Sequence, residues 1–248
     1  METILHLKGL YGGYLLNKPV LKDLHFSVAK GEMVGLIGLN GAGKSTTIKH
    51  ILGLMKPQKG SIEVLGQTLG DRTPGHRTSI GYVPESPELY EELTIREHLE
   101  LTAMAYGLDR QIYEERAGRL AELFSMQDKL GSFSGHLSKG MRQKVMIMNA
   151  FLVEPPLYII DEPFLGLDPL GIRSLLELMV SFKRAGAGFL ISSHILSTIE
   201  NYCERFVVLH RGVIVAQGTL EEIRAAAGMP GASLDNVFFE LVGGGGKG

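Results

Sequence analysis

Short apolar runs dominate the first third of the chain. Between Glu2 and about Val83 they read ILHL, HFSV, MVGLIG, SIEVLG and SIGYV, separated by Gly, Pro and Asn. Runs of this kind bounded by turn residues predict strands, and one helix-compatible stretch follows Gly43. From Pro84 to about Val153 the apolar period lengthens to about 3.6 residues, which predicts helices. Leu99, Ala103 and Tyr106 mark it, as do Leu120, Leu123 and Phe124, all set among charged residues. Beyond Leu157 the runs LYIID, SLLELMVSFKRAG, FLISS, LSTIENYCE and FVVLH alternate strand with helix, an order that favours a parallel sheet. The expected architecture is α/β, a strand-rich lobe and a mostly parallel sheet divided by a helical insert. A short helix over 220–227 and an apolar piece around Val237, Phe238 and Leu241 are expected to pack back on the core.

Composition narrows the function classes. The 248 residues carry 25 Lys+Arg against 27 Asp+Glu, which leaves no basic surplus for nucleic acid and no acidic excess for disorder. A single cysteine, Cys203, cannot form an internal bridge; it fits a reducing compartment and a buried, inert thiol. The longest apolar run, around Val145 to Val153, is interrupted by Asn149 and ends at Glu154, far short of the roughly 20 residues of a membrane span. The N-terminal METILHLKGL has no charged-then-apolar leader pattern. Glycine is in excess, with 32 residues where about 7% usage would give roughly 17. Five of them fall in the last six residues, GGGGKG, which reads as a flexible tail, so the remainder call for turns and special loops.

One such loop carries chemistry. Residues 33–48 read MVGLIGLNGAGKSTTI, an apolar strand, then Gly38 to Ser45 as G-x-x-x-x-G-K-S, then a helix-compatible run. Gly38, Gly41 and Gly43 permit backbone angles and close approaches that let successive N–H groups point at phosphate oxygens. The helix N-terminus adds its positive dipole end, Lys44 a point charge for the β- and γ-phosphates, and Ser45 a hydroxyl for Mg2+. A second constellation, LYIIDEPFLGLDP over 157–169, ends a buried strand in two acids. Asp161 is placed to join the Mg2+ shell and Glu162 to polarise a water as general base. His194 closes the run FLISSH on the same expected sheet edge, within reach of a γ-phosphate. Ser138 and Gly140, at the start of the helical run MRQKVMIMNAFLV, offer a hydroxyl and free N–H groups as a second phosphate site. Met141, Met146 and Met148 read as packing residues.

Taken in order, GLNGAGKST, LSKGM, IIDEP, GLDP and SSH resemble the nucleotide-binding subunit of ATP-binding cassette transporters over residues 2–227. Within that family, GLIGLNGAGKSTTIKHILGLM, EHLELTAMAYGL, SKGMRQKVMIMNAFL and LYIIDEPFLGLDPL are similar to the ATPase subunits of the Ecs transporters of Gram-positive bacteria. The resemblance implies the cassette ATPase fold, a P-loop core with a mostly parallel sheet, an antiparallel β lobe and an inserted helical subdomain. It divides the chain into one domain over 1–227, with 1–84 and 154–227 as catalytic core and 85–153 as helical subdomain. A C-terminal extension over 228–242 and the tail 243–248 follow.

The family pattern makes Gly38, Asn40, Gly41, Ala42, Gly43, Lys44, Ser45 and Thr46 the phosphate loop, and Ser138, Lys139 and Gly140 the signature segment that reaches ATP held by another subunit. Asp168 falls in the loop communicating between the two sites, beside Gly166, and His194 is the switch histidine. Tyr14, thirty residues before Lys44, fits the aromatic stacked on adenine; Tyr11 is the competing position. Two departures stand out. Glu85 replaces the usual Gln after GYVP, adding a carboxylate beside the Mg2+, and Met141 replaces the last residue of an S-G-G-Q pattern. The resemblance further implies ATP and Mg2+ as ligands and a head-to-tail homodimer with ATP at its interface. It also implies an Ecs B-type permease as the integral-membrane partner, a place on the cytoplasmic face of the membrane, an export or protein-secretion role, and no nucleic acid. A soluble cassette acting on nucleic acid or ribosomes is the alternative; tandem cassettes, zinc-binding cysteines or a basic surface would mark it, and the sequence has none.

Overall fold

A computed structural model describes residues 2–15, 17–69 and 78–243. Its larger sheet has six strands in the order β10-β9-β3-β8-β7-β6: β3 (Met33–Ile37), β6 (Ile80–Val83), β7 (Leu157–Asp161), β8 (Gly188–Ser192), β9 (Arg205–His210) and β10 (Val213–Gly218). Neighbours from β9 to β6 run parallel, and β10 joins antiparallel to β9. A second sheet is antiparallel, in the order β2-β1-β4-β5, from β1 (Thr3–Gly12), β2 (Leu21–Ala29), β4 (Lys59–Val64) and β5 (Gln67–Thr68). Of the runs expected to form one strand-rich lobe, ILHL, HFSV and SIEVLG build this sheet, whereas MVGLIG and SIGYV, as β3 and β6, join the large parallel sheet instead.

The near-continuous apolar strands follow from burial on both faces. Along β3, Met33 and Ile37 face one core while Val34 and Leu36 face another; in β7, Tyr158 and Ile160 oppose Leu157 and Ile159. The second core lies between the two sheets, where Leu5, Leu7, Leu24 and Ile62 meet the large sheet and Ile48 and Ile51 of α1 (Lys44–Ile51). The first core lies under the helices α2 (Ile95–Ala105), α3 (Arg110–Leu123), α4 (Lys139–Leu152) and α5 (Pro169–Arg184). There Phe151 and Phe189 stack on Tyr158, at ring-centroid distances of 4.4 and 4.8 Å.

Helix boundaries follow local chemistry. Thr94 caps α2 in a capping box with Glu97, Ser138 caps α4 through the Met141 N–H, and Asp168 caps α5, with Pro169 at its first position. Helices fill the stretch between β6 and β7, although Tyr106 is exposed after α2 while Leu99 and Ala103 are buried. The helix expected over LSTIENYCE is a single turn, α6 (Leu196–Ile199), because Tyr202 and Cys203 pack on the core as the chain turns into β9. Cys203 is buried, and desolvation raises its thiol pKa well above the ordinary value. The C-terminal pieces are α7 (Leu220–Ala226) and α8 (Leu234–Gly243), with Val237 and Phe238 buried. Gly243 closes α8; the rest of the expected glycine tail lies outside the described residues.

Candidate functional site

Four parallel strands in succession, β3, β8, β7 and β6, deliver chemistry to one edge of the sheet. The phosphate-loop motif leaves the end of β3, His194 follows β8, Asp161 ends β7, and Glu85 follows β6. The carboxyl edge of an open parallel sheet is where such folds gather ligand-binding groups. A cavity of about 690 Å³ opens there, lined by Gly38, Asn40, Gly41, Gly43, Lys44, Ser45 and Thr46 together with Glu85, Asp161, Glu162 and His194.

Local structure keeps the phosphate loop receptive. Gly43 precedes α1 with φ 115°, and no side chain caps the helix; a Cβ on Gly43 would lie 2.7 Å from Leu21 Cδ2. Glycine therefore supplies both the left-handed turn and the space, and the first N–H groups of α1 remain available for an anion. The Lys44 ammonium is buried and donates to the Gly38 carbonyl at 2.7 Å, which holds it inside the loop. Ala42 is the exception among the loop residues: it is buried, its carbonyl accepts the Gly212 N–H, and it does not line the cavity.

At the end of β7 two carboxylates are treated differently. Asp161 is in register with Ser192 of β8, whose hydroxyl donates to Asp161 Oδ1 in a short bond. Burial raises the Asp161 carboxyl pKa above its ordinary range; the Ser192 bond works against this, Glu162 and Glu85 add to it, and Lys44 opposes it. Glu162 is buried in a left-handed conformation, φ 48°, unusual for a side-chain-bearing residue and found where function demands it. Its N–H donates to the Ser192 carbonyl at 3.0 Å. Its Oε2 accepts the His194 backbone N–H at 3.0 Å and lies 2.7 Å from His194 Nδ1. The carboxylate thus places the ring proton on Nδ1 and leaves Nε2 for another partner. Ser192 is the residue that sequence reasoning missed; the polar SS at the end of an apolar strand was the available signal.

The two candidate tyrosines separate. Tyr14 is 64% exposed and lines the cavity, with the Lys49 ammonium 5.3 Å from its ring centre. Hydrogen bonding from Lys49 lowers its hydroxyl pKa. Tyr11 lies in β1 beneath Lys59, away from the cavity lining. Ser138, Lys139 and Gly140 stay outside the cavity as well. They meet the communicating loop instead: a Cβ on Gly140 would lie 2.4 Å from the Gly166 carbonyl oxygen, and Lys144 of α4 pairs with Asp168 at 3.3 Å.

The donor set suits Mg2+ bound with phosphate oxygens. Among the described residues no group of three or more His, Cys, Asp or Glu forms a protein-only metal cage. A hydroxyl and a carboxylate beside a phosphate cradle are a sufficient protein share for this cation, which keeps water and phosphate ligands.

A strand-loop-helix phosphate cradle facing an Asp-Glu strand end and a histidine defines a P-loop ATPase site. The family model described as ABC transporter matches residues 21–165; a second, an AAA domain described as a putative AbiEii toxin of a type IV toxin–antitoxin system, matches 133–200. The chain belongs to the ABC transporter family and is an ATP-binding, ATP-hydrolysing subunit of that class. It is 56% identical, over 96% of both chains, to the ABC-type transporter ATP-binding protein EcsA of Bacillus subtilis (strain 168). It is also 40% identical, over 98% of both, to the uncharacterized ABC transporter ATP-binding protein YthP of the same strain. A solved structure of an ATP-binding subunit of an ABC transporter superposes with a TM-score of 0.93 at 57% identity, covering 96% of this chain and 99% of that one. The chain is thus an EcsA-like transporter subunit. ATP-binding subunits of this family work with membrane permease subunits and as dimers, and among the described residues no helix is long and apolar enough to cross a membrane.

Proposed function

We propose that the chain hydrolyses ATP in the cavity at the carboxyl edge of the large sheet and drives an EcsB-type permease from the cytoplasmic face of the membrane. The observation that carries this reading is the convergence of Lys44, Ser45, Asp161, Glu162 and His194 on one cavity. In this account Tyr14 stacks on adenine, and the loop from Gly38 to Thr46 holds the triphosphate through N–H groups. Lys44 exchanges the Gly38 carbonyl for the β- and γ-phosphates. Ser45 and Asp161 hold Mg2+, with Glu85 beside it; when bound, the ion neutralises phosphate charge and fixes the leaving oxygens. Glu162, oriented through Oε2 by His194, polarises the attacking water. His194 Nε2 meets the γ-phosphate.

The signature segment supports a second half to the site. Ser138, Lys139 and Gly140 lie outside the cavity of their own chain, so their contact with a γ-phosphate requires a second copy arranged head to tail. Residues 85–153 act as the helical subdomain that passes closure to the permease, with the rest of 1–227 as catalytic core. By likeness to EcsA, the transported cargo belongs to export or protein secretion.

The direct test replaces Glu162 by Gln. ATP binding, read by displacement of a fluorescent nucleotide, is expected to persist while turnover falls by roughly 10²-fold or more; unchanged turnover removes Glu162 as the base.

A further inference from the structure

Part of the cavity wall comes from α8, far in sequence from the phosphate loop. Asp235, Phe238 and Phe239 line it together with Lys44, Asp161 and His194. The helix is anchored: Leu234, Val237 and Phe238 are buried, and the Leu234 N–H donates to Glu200 Oε2 at 3.0 Å. Glu200 also pairs with Arg224 at 3.3 Å, and Arg224 Nε donates to the Ala232 carbonyl at 2.6 Å. Glu200 caps α6, the turn that follows His194. The backbone that carries Asp235 is therefore anchored at the cavity wall, and among the described residues no cation pairs with its carboxylate. The wall carries four carboxylates, Glu85, Asp161, Glu162 and Asp235, against one lysine. Three of them belong to strand ends already discussed; Asp235 has no part in that chemistry.

We propose that Asp235 is a charge-discriminating residue of the nucleotide site, raising the cost of each further negative charge on the occupant. This rests on the reading of the cavity as a nucleotide site. A carboxylate on a partly desolvated wall repels an anion in proportion to the anion's charge, so AMP, ADP and ATP are penalised in increasing order. Mg2+ on the phosphates cancels most of the difference, which makes tight ATP binding conditional on the cation. The same carboxylate sits in the first turn of α8, where it also favours the helix dipole; that role affects every ligand alike.

The test uses the whole chain and displacement of a fluorescent adenine nucleotide by AMP, ADP and ATP, with and without Mg2+. Without Mg2+, Asp235→Asn is expected to raise AMP affinity about twofold, ADP affinity about threefold and ATP affinity about fivefold, in step with their charges. With Mg2+ the gradient should shrink. Asp235→Glu should keep the wild-type gradient. Glu240→Gln makes the same net-charge change on an exposed residue of α8 outside the cavity lining, and should produce no gradient. Equal shifts for all three nucleotides, no shift, or the same gradient from Glu240→Gln would overturn the proposal. A wild-type chain from which ATP displaces no probe would instead sink the nucleotide reading itself.

Discussion

Asp161 is held where a negative charge is poorly solvated. Because the folded chain retains this proton more tightly than the unfolded chain does, stability attributable to Asp161 is greatest at acid pH. It declines as pH rises from the ordinary aspartate pKa through the raised one, and the full cost persists at neutral pH. Asp161→Asn keeps an acceptor for the Ser192 hydroxyl and removes that cost. The nucleotide-free variant is expected to melt a few degrees above wild type at pH 7.5, with a smaller gain near pH 4, in thermal unfolding across a pH series. The stabilisation that wild type gains from ATP with Mg2+ should be largely lost. A variant that melts lower than wild type at neutral pH would contradict the account. At this scale the sequence was informative where chemistry follows an apolar run: Asp161, Glu162 and His194 do so directly, Lys44 across a glycine loop, and all line one cavity. Ser192 was hidden because its meaning lies in register with Asp161 on the neighbouring strand, which periodicity along one chain does not express.

Elements carry the link between the signature segment and the communicating loop. The Gly140 backbone and the Gly166 carbonyl approach too closely for any side chain, so glycine at 140 is required by packing inside one chain, whatever it contacts beyond it. Gly140→Ala is expected to destabilise by about 1–3 kcal/mol through overpacking. Gly118→Ala, inside α3 where a Cβ meets nothing within 4 Å, should stabilise by about 0.5–1 kcal/mol. Urea midpoints of the two variants read both effects, and equal effects of the same sign would refute the packing argument. Elements were legible where local signals agree, as at the Ser138-capped start of α4, whereas α5 starts at Pro169, five residues before the expected run SLLELMVSFKRAG. The glycines at 212 and 218 read as turns between short strands, and β10 lies between them; the Arg211-Gly212 turn, both residues at positive φ, is a two-residue hairpin signal. α8 was expected on the core, but its place beside the phosphate loop depends on long-range packing through Glu200 and Arg224.

For the whole molecule, near-neutral charge suits an ATPase whose positive potential is concentrated by one lysine and one helix end. The division of labour is also molecular. The cavity holds the phosphate loop with Asp161, Glu162 and His194, while Ser138 to Gly140 lie outside it on the same chain; under the proposed function a complete site takes two copies. The most direct measurement is sedimentation of the Glu162→Gln chain with ATP and Mg2+. A mass near twice 27.1 kDa is predicted with ATP, a single chain with ADP, and loss of the dimer but not of ATP binding when Ser138 is also changed to Arg. A chain that binds ATP yet stays monomeric, while the wild type turns over at a rate per molecule independent of protein concentration, would contradict the two-copy site.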